Sequence, residues 1–540
     1  MQNSNQDSHA TLIKGSAWMT FGSIVSRILG AIYIIPWYAW LGSHGNVANA
    51  LTAQSYNIYS LFLIISTAGI PGAIAKQVAK YNALNEYGVG RKLFQRGLIL
   101  MGLFGVLSAA VMYFSAPLLS GGDPRQVPVL RALSCAVLII PVLSIMRGFF
   151  QGYSDMMPSA LSQLIEQLAR VIWMLLTAFV IMKVQHGSYL HAVTQSNFAA
   201  AIGALFGILL LVFFYWQRRS TFKTLFANSS HDITVSTSSL LQEIIQQSIP
   251  FIIIDSGITL FQLLDQYTFH PIMAMFVHVP FDTIESWYAL FGLNANKLVM
   301  IIVSLATAMA VTAIPLLSGA KAHHDHEDIA SQIENTLELF LFVMIPASLG
   351  MAAIATPAYT IFYGYDPLGS RVLYLSAFTA ITLGLFTVAM AILQGLSENM
   401  LAIKYLILGL AIKAVVQLPL IWLARIYGPL LATNLGLLVT VWMAIKHLSV
   451  TYHFNLSRLK RRFVGIGGFS IGVYVLAQLV VLLGGKILSP QRRGSAFLLI
   501  VIAVIVAASF YVIVALKTEL AQKILGEKVT RLADKLHLNI

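Results

Sequence analysis

IIQQSIPFIIIDSGITLFQLLDQY, residues 244–267, decides how this chain is read. The stretch is long and apolar enough to cross a bilayer, yet Asp255 and Asp265 lie inside it. At roughly 100° per residue, Asp255, Thr259, Gln262 and Gln266 share one narrow sector of a helix, with Asp265 beside it. An ionised side chain near the bilayer centre costs at least about 2.5–3.5 kcal/mol against lipid. The stripe therefore faces protein or a water-filled cavity. A polar interior inside a membrane bundle points to transport.

The rest of the chain agrees. Its 540 residues are 58% hydrophobic and only 10% charged, with mean hydropathy +0.78, whereas about a quarter of a soluble chain is charged. The fold class that follows is an all-α polytopic membrane protein. Net charge is +13, but the basic residues lie in short loops between apolar spans, which excludes a nucleic-acid partner. Cys135 is alone in an apolar run, so disulfides play no part. The first span follows Lys14 with no small-residue cleavage site, and reads as a retained helix rather than a signal peptide.

A spanning helix needs about 20 mostly apolar residues. That rule predicts about 14 transmembrane helices, in windows 13–40, 50–75, 93–118, 128–150, 159–183, 192–216, 243–268, 289–316, 336–361, 371–395, 400–424, 428–448, 463–485 and 496–516. One set of loops holds Lys76, Lys80, Arg91, Lys92, Arg96, Arg147, Arg218, Arg219, Lys223, Lys321, Lys404 and the run Arg458, Lys460, Arg461, Arg462. The opposite loops are poorer in Lys and Arg, so the rich side and both termini are cytoplasmic. The tail at 518–540 has leucines and isoleucines at helical spacing among alternating charges. It reads as an amphipathic helix on the cytoplasmic face, or equally as a solvated charged tail.

Two pairs of segments repeat at nearly one offset. Ile70-Pro71 corresponds to Ile314-Pro315, 244 residues on, and Gln151-Gly152-Tyr153-Ser154-Asp155 to Gln394-Gly395-Leu396-Ser397-Glu398, 243 residues on. Six spans separate the members of each pair, which keeps their orientation and makes the repeats parallel. The predicted organisation is a six-helix lobe at 1–217, a cytoplasmic linker at 218–240, a second six-helix lobe at 241–450, two further helices at 451–517, and the tail.

Of the ionisable residues in the predicted windows, seven are read as intramembrane rather than as end or loop residues: Arg27, Glu166, Arg170, Asp255, Asp265, Lys297 and Lys413, with a net charge of +1. Arg27, Arg170, Lys297 and Lys413 read as cavity cations that bind an anionic head group, because Arg presents a planar fork to phosphate and Lys a compact charge. Asp255, Asp265 and Glu166 read as counter-ions or as a site for a coupling ion. The same spacing also allows Glu166 and Arg170 to satisfy each other at i, i+4, and Arg27 and Lys297 to snorkel to an interface. The repeat offset puts Arg170 and Lys413 at corresponding positions.

Enzyme chemistry finds no place in this pattern. The chain has no Gly-x-x-x-x-Gly-Lys loop, no nucleophile elbow and no His-Glu-x-x-His motif. His323-His324-Asp325-His326 sits in a charged loop and reads as solvated rather than as a metal site. No cofactor is expected beyond coupling to Na⁺, H⁺ or the membrane potential.

The stretch Arg147-Gly148-Phe149-Phe150-Gln151-Gly152-Tyr153, continuing through Met157-Pro158-Ser159-Ala160 to Gln163-Leu164-Ile165-Glu166-Gln167 and Arg170-Val171, resembles the signature of the SpoVB/YtgP-like polysaccharide biosynthesis proteins. Gly69-Ile70-Pro71-Gly72-Ala73-Ile74-Ala75-Lys76, with Tyr81-Asn82-Ala83-Leu84, resembles the same group. That group shares a superfamily with MATE exporters, Wzx-type glycan flippases and MurJ-type lipid II flippases. The resemblance implies a bundle in the bacterial cytoplasmic membrane that flips a polyprenyl-pyrophosphate-linked cell-wall precursor, lipid II first, by alternating access. Its partners would be the lipid-linked glycan, membrane lipids and the cell-wall synthesis machinery. Ser26-Arg27-Ile28-Leu29-Gly30 matches a Ser-Arg-x-Leu-Gly stretch whose arginine lines the cavity in MurJ-type proteins. A second arginine of Gram-negative members falls on Tyr33 here, and their second-helix arginine cluster is missing. The family's last two helices, which form a groove for the lipid tail, match 463–485 and 496–516 by position. Another lipid-linked polysaccharide unit, or MATE-like export of drugs coupled to Na⁺ or H⁺, are the alternatives. A drug cation calls for an acidic interior, and a net +1 disfavours it.

Overall fold

The computed structural model describes residues 29–30, 32–67, 70–153, 155–229, 248–323 and 325–518, with Leu520 and Gln522. Regular structure among them is entirely helical, the form in which an apolar segment satisfies its own backbone polar groups inside lipid. In chain order the helices are α1 (Ile34–Leu41), α2 (Gly45–Thr67), α3 (Ile70–Ala83), α4 (Tyr87–Leu119), α5 (Gln126–Gly152), α6 (Met156–Phe179), α7 (Tyr189–Gln217) and α8 (Arg219–Ala227). Then come α9 (Ser248–Asp255), α10 (Gly257–Phe276), α11 (Phe281–Ala289), α12 (Asn296–Ala322), α13 (His326–Ala353) and α14 (Ala355–Tyr363). The chain continues as α15 (Pro367–Gly395), α16 (Asn399–Ala424), α17 (Gly428–Tyr452), α18 (Leu456–Gly484) and α19 (Arg493–Lys517).

Helix starts follow local chemistry. The Ser188 hydroxyl accepts from the amide of Leu190, and Asp325 from those of Glu327 and Asp328. Asp366 accepts from Leu368 ahead of Pro367, and Asn455 from Arg458. Each supplies an acceptor to first-turn amides that have no partner within the helix.

Ten described helical stretches are long and apolar enough to span a bilayer, or eleven if the bent pair α9–α10 is one span. The predicted 14 are not reached on that measure. Window 13–40 lies mostly outside the described residues, as do 230–240 of the linker and nearly all of the tail. Window 50–75 divides between α2, rich in Asn, Gln, Ser and Tyr, and α3. Windows 400–424 and 428–448 fall within one 54-residue apolar stretch that reverses at Arg425, where φ is +52°, to form α16 and α17.

The stretch at 244–267 departs from expectation as well. Rather than one straight helix, α9 and α10 meet at Ser256 with a 46° bend. The Ser256 hydroxyl donates to the Ile252 carbonyl at 2.7 Å, and glycine follows. A Ser-Gly pair is a recognised cause of such kinks.

The chain divides into two compact units, Met1–Leu263 and Leu264–Ile540. In the first, α5 packs against α3, α4 and α7, and α6 against α7. In the second, α12 packs on α15, α16 on α17, and α18 on both α13 and α19.

The repeat is visible as one corner built twice. Helices α5 and α15 end at Gly152 and Gly395, and the next begin at Met156 and Asn399. The Asp155 amide donates to Phe150 at 3.1 Å, and the Glu398 amide to Leu393 at 2.8 Å. A side chain from the Ile-Pro helix then binds the terminal carbonyl: Asn82 donates to Gly152 and Ser318 to Gly395. The motif acid is paired each time, Asp155 with Arg218, and Glu398 with His447 at 2.8 Å and Tyr452 at 2.7 Å.

Candidate functional site

Arg170 and Lys413 occupy the same register in α6 and α16, yet their surroundings differ. In the first unit, the guanidinium of Arg170 lies 5.4 Å from the ring centroid of Tyr56, in cation–π range. Tyr56 sits 5.3 Å from the buried Tyr59. Arg170 is half-buried and has no carboxylate partner among the described residues.

Glu166, one turn earlier, does not pair with Arg170. Its Oε2 accepts from Arg147 Nη2 at 2.6 Å, and Arg147 Nε donates to Ser162 Oγ at 2.7 Å. The i, i+4 pairing expected from spacing is thus replaced by a link from α5 to α6. Arg147, read above as a loop residue, lies inside α5, with its side chain 16% exposed. The consequence is electrostatic: Arg147 neutralises Glu166 and leaves the charge of Arg170 uncompensated by the described side chains. Gly203 of α7 is what lets this face close. A Cβ there would lie 2.6 Å from the Glu166 carbonyl and 3.2 Å from the Arg170 Cβ.

In the second unit, Lys413 is fully buried. Its Nζ lies 2.7 Å from Asp265 Oδ2 on α10, and donates to Thr433 Oγ1 on α17 at 2.7 Å. Gln417 Nε2 donates to Asp265 Oδ1 at 2.7 Å and to Thr268 Oγ1 at 3.2 Å. Three helices are tied through one neutral cluster. Lys413 was expected as a cation offered to substrate, and here it is an internal ion pair. Asp265 is its counter-ion.

The remaining expected residues scatter. Asp255 is exposed at the last residue before the bend, while Thr259 and Gln266 beyond it are buried. Lys297 is half-buried in the first turn of α12, just after a wide π turn at Leu290–Ala295. Arg27 lies outside the described residues. Sequence reasoning misplaced Arg147 by counting it with the loop residues, although it falls inside window 128–150 and three residues short of its end. It also missed the acids Glu285 and Glu338, buried at 3% and 5% exposure. An apolar groove of about 290 Å³ on the second unit is lined by Ile302, Gly350, Val473, Ala503, Ala507 and Tyr511, from α12, α13, α18 and α19. The Tyr511 hydroxyl donates to the Phe342 carbonyl at 2.7 Å at its edge.

Residues 12–321 match the family model described as polysaccharide biosynthesis protein. The chain is 34% identical over 538 residues to the lipid II flippase MurJ of Bacillus subtilis (strain 168), covering 96% of this chain and 97% of that protein. A solved structure of lipid II flippase MurJ in an inward closed conformation superposes with TM-score 0.64 at 12% identity, over 93% of this chain and 99% of that one. An inward-facing multidrug resistance MATE family transporter superposes with TM-score 0.60 at 12% identity, over 80% and 95%. These two likenesses are of fold.

Proposed function

The chain belongs to the polysaccharide biosynthesis protein family, and we propose that it is a flippase carrying lipid II, a polyprenyl-pyrophosphate-linked cell-wall precursor, from the inner to the outer leaflet by alternating access. The observation that carries this reading is Arg170: an arginine at membrane depth, held on tyrosines, whose described neighbours leave its charge unspent. A cation kept that way attracts an anion, and a pyrophosphate fits its planar fork. The 34% identity to a relative named for lipid II supports that substrate.

Arg27 and Lys297 join Arg170 as substrate cations in this reading. Lys413 joins them only when its pair with Asp265 opens. While that pair is closed the cluster is neutral and repels no proton or Na⁺, but the ammonium already fills the cation position between Asp265 and Thr433. Protonation of Asp265, or the membrane potential acting on Lys413, would then be the drive. The apolar groove beside α18 and α19 suits the polyprenyl tail. Both termini are cytoplasmic in this arrangement, and the enzymes that make and use the precursor are its functional neighbours.

The test is transport by inside-out vesicles offered labelled lipid II or a cationic dye. Lipid II should move in the wild type and stop in Arg170→Ala, with membrane insertion unchanged. Movement of the dye alone would favour drug export and overturn the proposal.

A further inference from the structure

Four basic residues, Arg458, Lys460, Arg461 and Arg462, open α18 and have no part in the transport reading. With Asn455, Ser457 and Leu520, the three arginines line a pocket of about 520 Å³, inside the roughly 300–1,000 Å³ range of ligand sites. Its carboxylates do not cancel it. Arg458 lies 3.5 Å from Glu334 and 3.5 Å from Glu338, and Arg462 lies 3.6 Å from Glu338. Closed charge-assisted bonds are nearer 2.7–2.9 Å, so these arginines keep donors to spare. Glu334 also accepts from the Asn455 backbone amide at 2.6 Å through its other oxygen, and Arg461 has no ion pair among the described residues. Three arginines therefore face two acids, one of which also accepts from a backbone amide.

We propose that this pocket binds the phosphate headgroup of an anionic membrane phospholipid, separately from any transported substrate. A free anion would need only the charges. The pocket adds apolar surface where acyl chains would run: Leu520 lines it, and Phe463 and Val464, next along α18, are 52% and 72% exposed. A basic cluster directly beside a membrane helix is the pattern by which proteins hold anionic lipid, each cation contributing about five-fold in affinity.

The experiment uses the full chain in mixed micelles with phosphatidylglycerol or phosphatidylcholine, and counts bound lipid by native mass spectrometry. The wild type should retain phosphatidylglycerol in preference to phosphatidylcholine. Arg458→Gln/Arg461→Gln should weaken phosphatidylglycerol roughly 25-fold, and Arg458→Lys/Arg461→Lys should restore most of it. Arg462 is left in place so that buried Glu338 keeps one guanidinium neighbour when Arg458 is replaced. Undiminished binding in the glutamine variant, equal retention of the two lipids, failure of the lysine variant to restore binding, or displacement of the lipid by inorganic phosphate would each overturn the assignment.

Discussion

Removing the charge of Asp265 alone should destabilise the protein far more than removing it together with that of Lys413. In Asp265→Asn the Lys413 ammonium stays fully buried, with its Thr433 contact intact but no anion opposite. Breaking a buried pair by removing one partner costs about 3–5 kcal/mol. The new carboxamide still offers an oxygen to Lys413 or Gln417, which places the expected loss near the lower end, about 3 kcal/mol. The double variant Asp265→Asn/Lys413→Met buries no charge, and such replacements are often neutral or stabilising by about 1–4 kcal/mol. The assay is a double-mutant cycle on reversible unfolding of the purified protein in mixed micelles. Coupling of about 2 kcal/mol or more is expected. Two single variants and a double variant all within about 0.5 kcal/mol of wild type would refute the reasoning, since the pair would then be open to water. Transport separates structure from drive. A stable double variant that no longer flips lipid II makes the pair a working part, whereas full activity makes it only a brace.

Arg170→Lys should retain only part of the transport activity in a flippase-depleted strain, because lysine keeps the charge but not the fork or the ring-stacking plane; full complementation would argue against bidentate binding. Gly203→Ala should lower the unfolding free energy by about 1–3 kcal/mol, since its Cβ would meet the Glu166 carbonyl at 2.6 Å, and chemical denaturation measures it. Glu166→Gln leaves Arg147 without its carboxylate and should cost about 1–3 kcal/mol, read in the same unfolding experiment. Ala507→Trp, which fills the apolar groove, should slow transport of a long polyprenyl substrate while sparing a short-chain analogue. Equal slowing of both would remove the groove from the path of the tail.

Much was determined by sequence alone. Apolar length and the rarity of charge dictate a helical membrane bundle, because backbone polar groups in lipid have few ways to be satisfied. The repeated Gln-Gly corner and the correspondence of Arg170 with Lys413 were legible because register along a chain is a one-dimensional property. What tertiary structure decided is which charge meets which. Spacing along α6 offered Arg170 to Glu166, but a helix crossing from α5 brought Arg147 closer. Lys413 sits in register with Arg170, yet α10 delivers Asp265 to it and α17 delivers Thr433. A bend at Ser256 likewise interrupts the stretch that reads as one stripe, and leaves Asp255 exposed while Asp265 is buried. An ion pair depends on distances of 3 Å or so between side chains of different helices, and such distances are set by packing. Packing is why two equivalent positions carry opposite electrostatics, one cation uncompensated by carboxylate among the described residues and the other neutralised.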